Sequence, residues 1–228
     1  MTCRVRAELR ILARDPLLLA LLAVIALAIV VFVVYPLLRV LLASFQADGA
    51  WTGATYLDLA GRRLYRNALA NSLGVGLLVG VLGTALGYLA AFVLTRLDVP
   101  CRTLLHYVTI LPIVSPPFVS AVSIVFLFGF NGLVTRQVLG LDDFSIYGFH
   151  GVVLSQVFTF APIAYLSLRG VLAAISPTLE DAALNIGATR WQAFCRVSLP
   201  LSLPGIASAF LVVFIESMAD FGNPLVLA

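Results

Sequence analysis

The chain contains no lysine, since all fourteen of its basic residues are arginine. A phosphate-binding loop of the G-x-x-x-x-G-K-[ST] kind is therefore absent, and so is any lysine Schiff base. If ATP drives this protein, a different subunit binds it. Charge of either sign is scarce, at 11% of 228 residues, and the net charge is only +3. No arginine run is interleaved with aromatics, so a nucleic-acid partner is not expected. The three cysteines, Cys3, Cys101 and Cys195, are odd in number and lack C-x-x-C spacing, which reads as free thiols rather than a metal site. The two histidines, His106 and His150, fall at the starts of separate helices at opposite membrane faces. No metal and no cofactor are expected.

Apolar residues fill the chain instead, at 61% of the sequence, with a mean hydropathy of +1.07. A membrane-spanning helix needs about 20 apolar residues. Charged residues leave five gaps of about that length, at 17–38, 67–95, 103–135, 144–168 and 197–215. The expected fold is an all-α, polytopic transmembrane helix bundle. Five spans take up more than half of the chain and leave no room for a soluble catalytic domain, so the chain reads as a non-enzyme.

Residues 1–16 carry Arg4, Arg6, Arg10 and Arg14 directly before the first apolar run. The positive-inside rule makes this segment cytoplasmic. The run is too long for the core of a secretory signal peptide and reads as a first transmembrane helix over 17–45. Alternating loops then put nine arginines inside and five outside or near the outer face.

The second span carries Gly76-x-x-x-Gly80 and Gly83-x-x-x-Gly87, a spacing that lets helix backbones approach closely. These glycines serve packing within the bundle or, alternatively, a subunit interface. The third span, over 104–128, contains Pro112, Pro116 and Pro117. Each proline removes a donor and frees a carbonyl one turn earlier, so this helix is expected to be bent or broken at mid-depth. Broken helices line transport pathways, although a plain proline kink uses the same residues. The fourth span holds Pro162.

After the fourth span, Ser176-Pro177 followed by Glu180 and Asp181 reads as a helix N-terminus: a cap, a proline in the first turn, then carboxylates at the positive end of the dipole. The predicted helix covers 177–186, and Gly187 ends it. A second short helix is predicted over 189–197, with Trp191, Phe194 and Cys195 on one face, before Leu199-Pro200 turns the chain back into the membrane. Two such helices fit a groove on a partner or lie on the bilayer surface.

The order Asp181-Ala182-Ala183, Gly187, then nine residues to Val197-Ser198-Leu199-Pro200 resembles the E-A-A-x-x-x-G-x(9)-I-x-L-P loop of ATP-binding-cassette importer permeases. Asp181 stands where the family has Glu, with Glu180 one residue earlier, and Val197 stands where it has Ile. The resemblance implies a type I importer permease core over 65–228, with a cytoplasmic coupling loop at 176–200 that docks into a separate cytoplasmic ATPase subunit. A periplasmic substrate-binding protein and a second permease half or subunit are the other implied partners, besides the lipid bilayer. The implied location is the bacterial inner membrane. The family core usually has one more helix after the fifth, so a sixth helix is expected but missing, and a fragment or the first half of a fused permease is expected.

Glu216 and Asp220 are four residues apart, which on one continuous helix puts them on one face in the outer half of the membrane. Intramembrane carboxylates are functional candidates, and oxygen ligands suit a hard cation. Pairing with an arginine of the other half, or exposure near the outer surface, is the alternative. With Asn223 and the prolines 112, 116 and 117, they form the candidate pathway set. The string from Glu216 to Leu227 resembles the corresponding segment of ferric-iron permeases, which implies iron as cargo. Polyamine, sulfate, thiamine or phosphonate are alternative cargoes. An ion-coupled secondary transporter could use the same broken helices but has no need of the 180–200 loop. An intramembrane protease would need a serine facing a mid-depth histidine, and His106 and His150 are at the membrane faces.

Overall fold

The computed structural model describes residues 16–47, 50–140 and 145–228, with only the backbone of Ala47 and Pro117. Cys3 and the N-terminal arginines 4, 6, 10 and 14 lie outside the described residues. The chain divides into two units, Met1–Arg66 and Asn67–Ala228.

The first unit holds α1 (Pro16–Ser44), a two-residue hairpin of β1 (Gln46–Ala47) and β2 (Ala50–Trp51), and the short α2 (Ala54–Gly61). Within α1, residues Val30–Val34 form a π-helical turn just before Pro36. A proline ring collides with the carbonyl four residues back and offers no donor. Widening the preceding turn to i→i+5 moves that carbonyl aside without ending the helix. The Tyr56 hydroxyl donates to Ser44 Oγ at 2.6 Å and joins α2 to the end of α1.

The second unit is the helical core: α3 (Arg63–Arg96), which begins in the first unit, α4 (Arg102–Val114), α5 (Pro117–Phe128), α6 (Phe149–Ala174), α7 (Pro177–Asn185), α8 (Arg190–Ala219) and α9 (Gly222–Leu227). Among the described residues, five apolar stretches are long enough to cross a membrane: Pro16–Ser44, Arg63–Arg96, Phe118–Val138, Phe149–Ala174 and Arg190–Ala219. The all-α bundle expected from composition is the observed architecture.

The central element is α6. Tyr165, Leu168 and Leu172 on it are fully buried, and they meet Val79 and Ala91 of α3 and Val213 of α8 in the main core. A smaller cluster joins Ala121 and Ile124 of α5 to Val152 of α6 and Leu227 of α9.

Of the proline-based expectations, the break in the third span is observed and the turn at Leu199-Pro200 is not. The third span is broken outright: Ser115 has ψ 140 and Pro116 ψ 142, two consecutive extended residues between α4 and α5. The residue before a proline is driven from the helical region by its Cδ, and Ser115 and Pro116 each precede one. The chain does not turn at Leu199-Pro200. Helix α8 runs from Arg190 through Pro200 without interruption, because residues Phe194–Ser198 form a π-helical turn that makes room for Pro200 as Val30–Val34 does for Pro36. The second short helix of the loop is thus the first turns of α8. At about 1.5 Å per residue α8 is about 45 Å long, longer than a hydrocarbon layer of about 30 Å is thick.

Candidate functional site

Loop 176–200 is built around Arg96, the last residue of α3. Its side chain is nearly buried, and Nη2 donates to the carbonyls of Leu172 at 3.1 Å and Ile175 at 2.8 Å, at the end of α6. A cation there also meets the negative ends of two helix dipoles. Arg96 Nε lies 3.2 Å from Glu180 Oε1, close enough for an ion pair though poorly aligned for a hydrogen bond. The same oxygen accepts from Ser198 Oγ of α8 at 2.6 Å. One guanidinium and one carboxylate therefore fasten α3, α6, α7 and α8 together.

The two acidic residues of the loop have different surroundings. Glu180 turns inward to Arg96, whereas Asp181 is exposed. Ala182 is exposed and Ala183 half-buried. Ser176 occupies the cap position of α7, but its hydroxyl bonds Thr178 Oγ1 at 2.8 Å instead of a backbone N–H, so the expected side-chain cap is not formed. Gly187, at φ +92, closes α7. Its N–H donates to the Leu184 carbonyl and that of Ala188 to the Ala183 carbonyl, each at 3.0 Å, which is the Schellman pattern.

Beyond Gly187, Thr189 and Gln192 form a reciprocal capping box that starts α8. Ile186 and Trp191 are exposed at 87% and 71%, large for apolar side chains. Val197 and Leu199 are half-buried and Pro200 exposed. A groove of about 860 Å³ runs beside this surface, lined by Tyr88, Phe92, Arg96, Glu180, Asp181 and Trp191 among others. Phe194 forms part of its wall, edge-on to Phe92 with centroids 4.9 Å apart. Cys101, exposed, and Cys195, half-buried, are free thiols.

The other end of the core holds a polar corner. Glu216 and Asp220 do not share a helix face, because α8 stops at Ala219 and Asp220 takes an extended conformation (ψ 121). Glu216 is exposed on α8. Asp220 caps α9: Oδ1 accepts from the N–H groups of Gly222 at 2.9 Å and Asn223 at 3.4 Å, and Oδ2 from Asn223 Nδ2 at 2.7 Å and Gln156 Nε2 at 2.8 Å. Gln156 Oε1 accepts from Ser217 Oγ at 2.6 Å, and Asn223 Oδ1 from Ser155 Oγ at 2.5 Å. Gln156, Ser155 and Asn223 are fully buried. With four donors on its two oxygens, Asp220 is arranged as a cap and not as an open ligand. No group of His, Cys, Asp and Glu able to hold a metal ion occurs among the described residues.

The remaining sequence candidates separate. Pro112 lines an apolar cavity of about 220 Å³ with Pro162 and Gly87, between α3, α4 and α6. Pro116 lies in the break and Pro117 opens α5. A Cβ at Gly87 would meet the Tyr165 nitrogen at 2.7 Å and the Ala161 carbonyl at 2.8 Å, so α3 and α6 touch backbone to backbone there. Gly76, Gly80 and Gly83 face Met218, Phe210 and Val213 of α8.

Sequence reasoning did not find Arg96, Ser198 or Gln156. Arg96 carried a signal, as the charge that closes the apolar run 67–95, and so did Gln156 as an amide within an apolar span. The capping box was also legible as T-x-x-Q.

The comparisons agree on one kind of protein. A family described as "Binding-protein-dependent transport system inner membrane component" matches residues 83–228. A putative ferric transport system permease protein of Haemophilus influenzae is 34% identical over 225 residues, covering 97% of this chain and 36% of that protein. A sulfate transport system permease protein of Escherichia coli is 33% identical over 142 residues, covering 62% of this chain and 51% of that protein. The chain therefore spans about a third of the length of the ferric relative and half that of the sulfate one. Among solved structures, a bacterial transporter that imports the polysaccharide alginate superposes with a TM-score of 0.76 at 21% identity, covering 95% of this chain and 78% of that one.

Proposed function

Because the chain belongs to the family of binding-protein-dependent transport system inner membrane components, we propose that it forms part of the membrane permease of an ATP-driven importer and meets the ATPase subunit through loop 176–200. The observation that carries this reading is the outward surface of that loop. Asp181 is exposed, Gly187 ends α7, and Ile186 and Trp191 present apolar area that none of the described residues covers. An exposed apolar patch on a short helix fits a groove on a partner.

In this reading the loop faces the cytoplasm, which places the N-terminus inside as well. ATP binding draws the two ATPase subunits together and α7 moves with them. Since Glu180 holds Arg96 and Arg96 holds the end of α6, the displacement passes to α3 and α6 as one body. The outer corner, where α8 gives way to α9, faces the periplasmic binding protein and the entering cargo. The chain works with a second permease half, and the permease core over 65–228 is the transporting part. The pathway residues proposed are Pro112 within α4, Pro116 and Pro117 at the break, with Glu216, Asp220 and Asn223 at the outer end, Asp220 and Asn223 acting through the fold of the corner.

The cargo proposed is ferric iron, supported by the ferric relative that aligns over nearly the whole chain. Sulfate is the second reading, supported by the shorter sulfate alignment. The test is co-purification of the ATPase with the intact permease carrying Asp181→Lys or Gly187→Val. Loss of the ATPase with both variants is expected, and normal recovery with both would remove the loop from the contact.

A further inference from the structure

The end of the core that carries loop 176–200 also holds a cationic cleft outside the ATPase-facing surface. Arg102 and His106, on the first turns of α4, face Tyr165 and Arg169 of α6. With Leu94 and Thr103 they line a cleft of about 170 Å³. Arg169 Nη1 lies 3.0 Å from both ring nitrogens of His106. His106 Nδ1 lies 2.7 Å from the hydroxyl of Tyr165, which is fully buried.

Three basic side chains thus converge with no carboxylate in the lining among the described residues. Among the described residues, the ion pairs found are Arg62–Asp58 and Arg96–Glu180, and neither includes Arg102 or Arg169. Two guanidinium charges brought to one cleft repel each other unless an anion joins them, and the effect grows as the surroundings become less polar. The guanidinium fork matches phosphate oxygens in geometry.

We propose that this cleft binds the phosphate of an anionic phospholipid headgroup. Two observations favour a lipid over a free anion. The outer side of α4 next to the cleft is apolar and exposed, with Leu104 at 61% and Val108 at 57%, a surface suited to acyl chains. The cleft is also smaller than the ~300–1,000 Å³ of whole-ligand sites, which suits a headgroup whose tails remain outside. Basic pockets between helices at a membrane face hold lipid headgroups in this way.

The test is native mass spectrometry of the intact permease in detergent, titrated separately with phosphatidylglycerol, phosphatidylcholine and inorganic phosphate. It needs neither ATPase nor cargo, so its outcome is independent of the transport reading. Phosphatidylglycerol should be retained in preference to phosphatidylcholine. Arg102→Gln, an exposed position that leaves the core intact, should weaken that retention about fivefold, the equivalent of ~1 kcal/mol per arginine near a charged membrane surface. Adding Arg169→Gln should remove the preference, and the paired lysine variants should restore part of it. Unchanged phosphatidylglycerol retention in both glutamine variants would overturn the site. Equal binding and full competition by inorganic phosphate would overturn the lipid assignment. Loss of self-association in Arg102→Gln with lipid retention unchanged would mean that a carboxylate of a second subunit fills the cleft, which also overturns it.

Discussion

Arg96 and Glu180 meet at 3.2 Å between α3 and α7, and through them the loop is tied to the main core. Both side chains are largely buried. Removing one partner of such a pair leaves an uncompensated charge, at a cost of about 3–5 kcal/mol. Arg96→Ala should lower the thermal unfolding temperature of the purified permease markedly. Arg96→Lys should recover little, because an ammonium cannot reach two carbonyls and a carboxylate with the reach of a guanidinium. Unfolding of Arg96→Ala at the wild-type temperature would show that the pair does not hold the loop.

Adjacent carboxylates should behave oppositely. Asp181 is exposed and has no hydrogen bond or ion pair among the described residues, so Asp181→Lys should change stability by no more than about 0.5 kcal/mol while reducing ATPase recovery. Glu180→Lys places a second cation against Arg96 and should destabilise the permease itself. The check is thermal unfolding in detergent beside ATPase co-purification for each variant. Matching effects from the two substitutions would remove the distinction between an inward and an outward carboxylate.

Close packing at Gly87 supplies another contrast. A methyl there would press on backbone atoms of α6 at 2.7 and 2.8 Å, whereas at Gly74 it would meet only the Phe149 ring, at 3.7 Å. Gly87→Ala should cost about 1–3 kcal/mol through overpacking. Gly74→Ala should be neutral or slightly stabilising, since alanine is the better helix former. Detergent unfolding curves of the two variants test this directly.

At the outer corner, Asp220→Ala would strip four donors of their acceptor, three of them on Gln156 and Asn223, which are fully buried. A loss of about 1–3 kcal/mol follows for buried donors left unpaired. Glu216→Gln, at an exposed position with no hydrogen bond among the described residues, should leave stability unchanged. A Glu216→Gln variant that nevertheless loses uptake would assign that carboxylate to the pathway.

What the sequence made legible was what depends on local chemistry. Apolar run length marked the spans, consecutive prolines marked the break between α4 and α5, and Gly187 marked the end of α7. The misreadings came from long-range packing. Pro200 reads as a turn by its own propensity, and it stays helical because the π-helical turn before it moves the opposing carbonyl away. Glu216 and Asp220 share a face only if the helix continues. It stops because Asp220 is held by Gln156, sixty-four residues away in sequence. Arg96, Glu180 and Ser198 come together from three separate helices, and no spacing in the chain encodes that meeting.

The most direct test of the coupling account is ATP hydrolysis in proteoliposomes that contain the intact permease with its ATPase, measured with iron-loaded and with iron-free binding protein. Stimulation by the iron-loaded form, lost in Asp181→Lys, is the predicted result. Hydrolysis that ignores the binding protein and is unaffected by Asp181→Lys would contradict it.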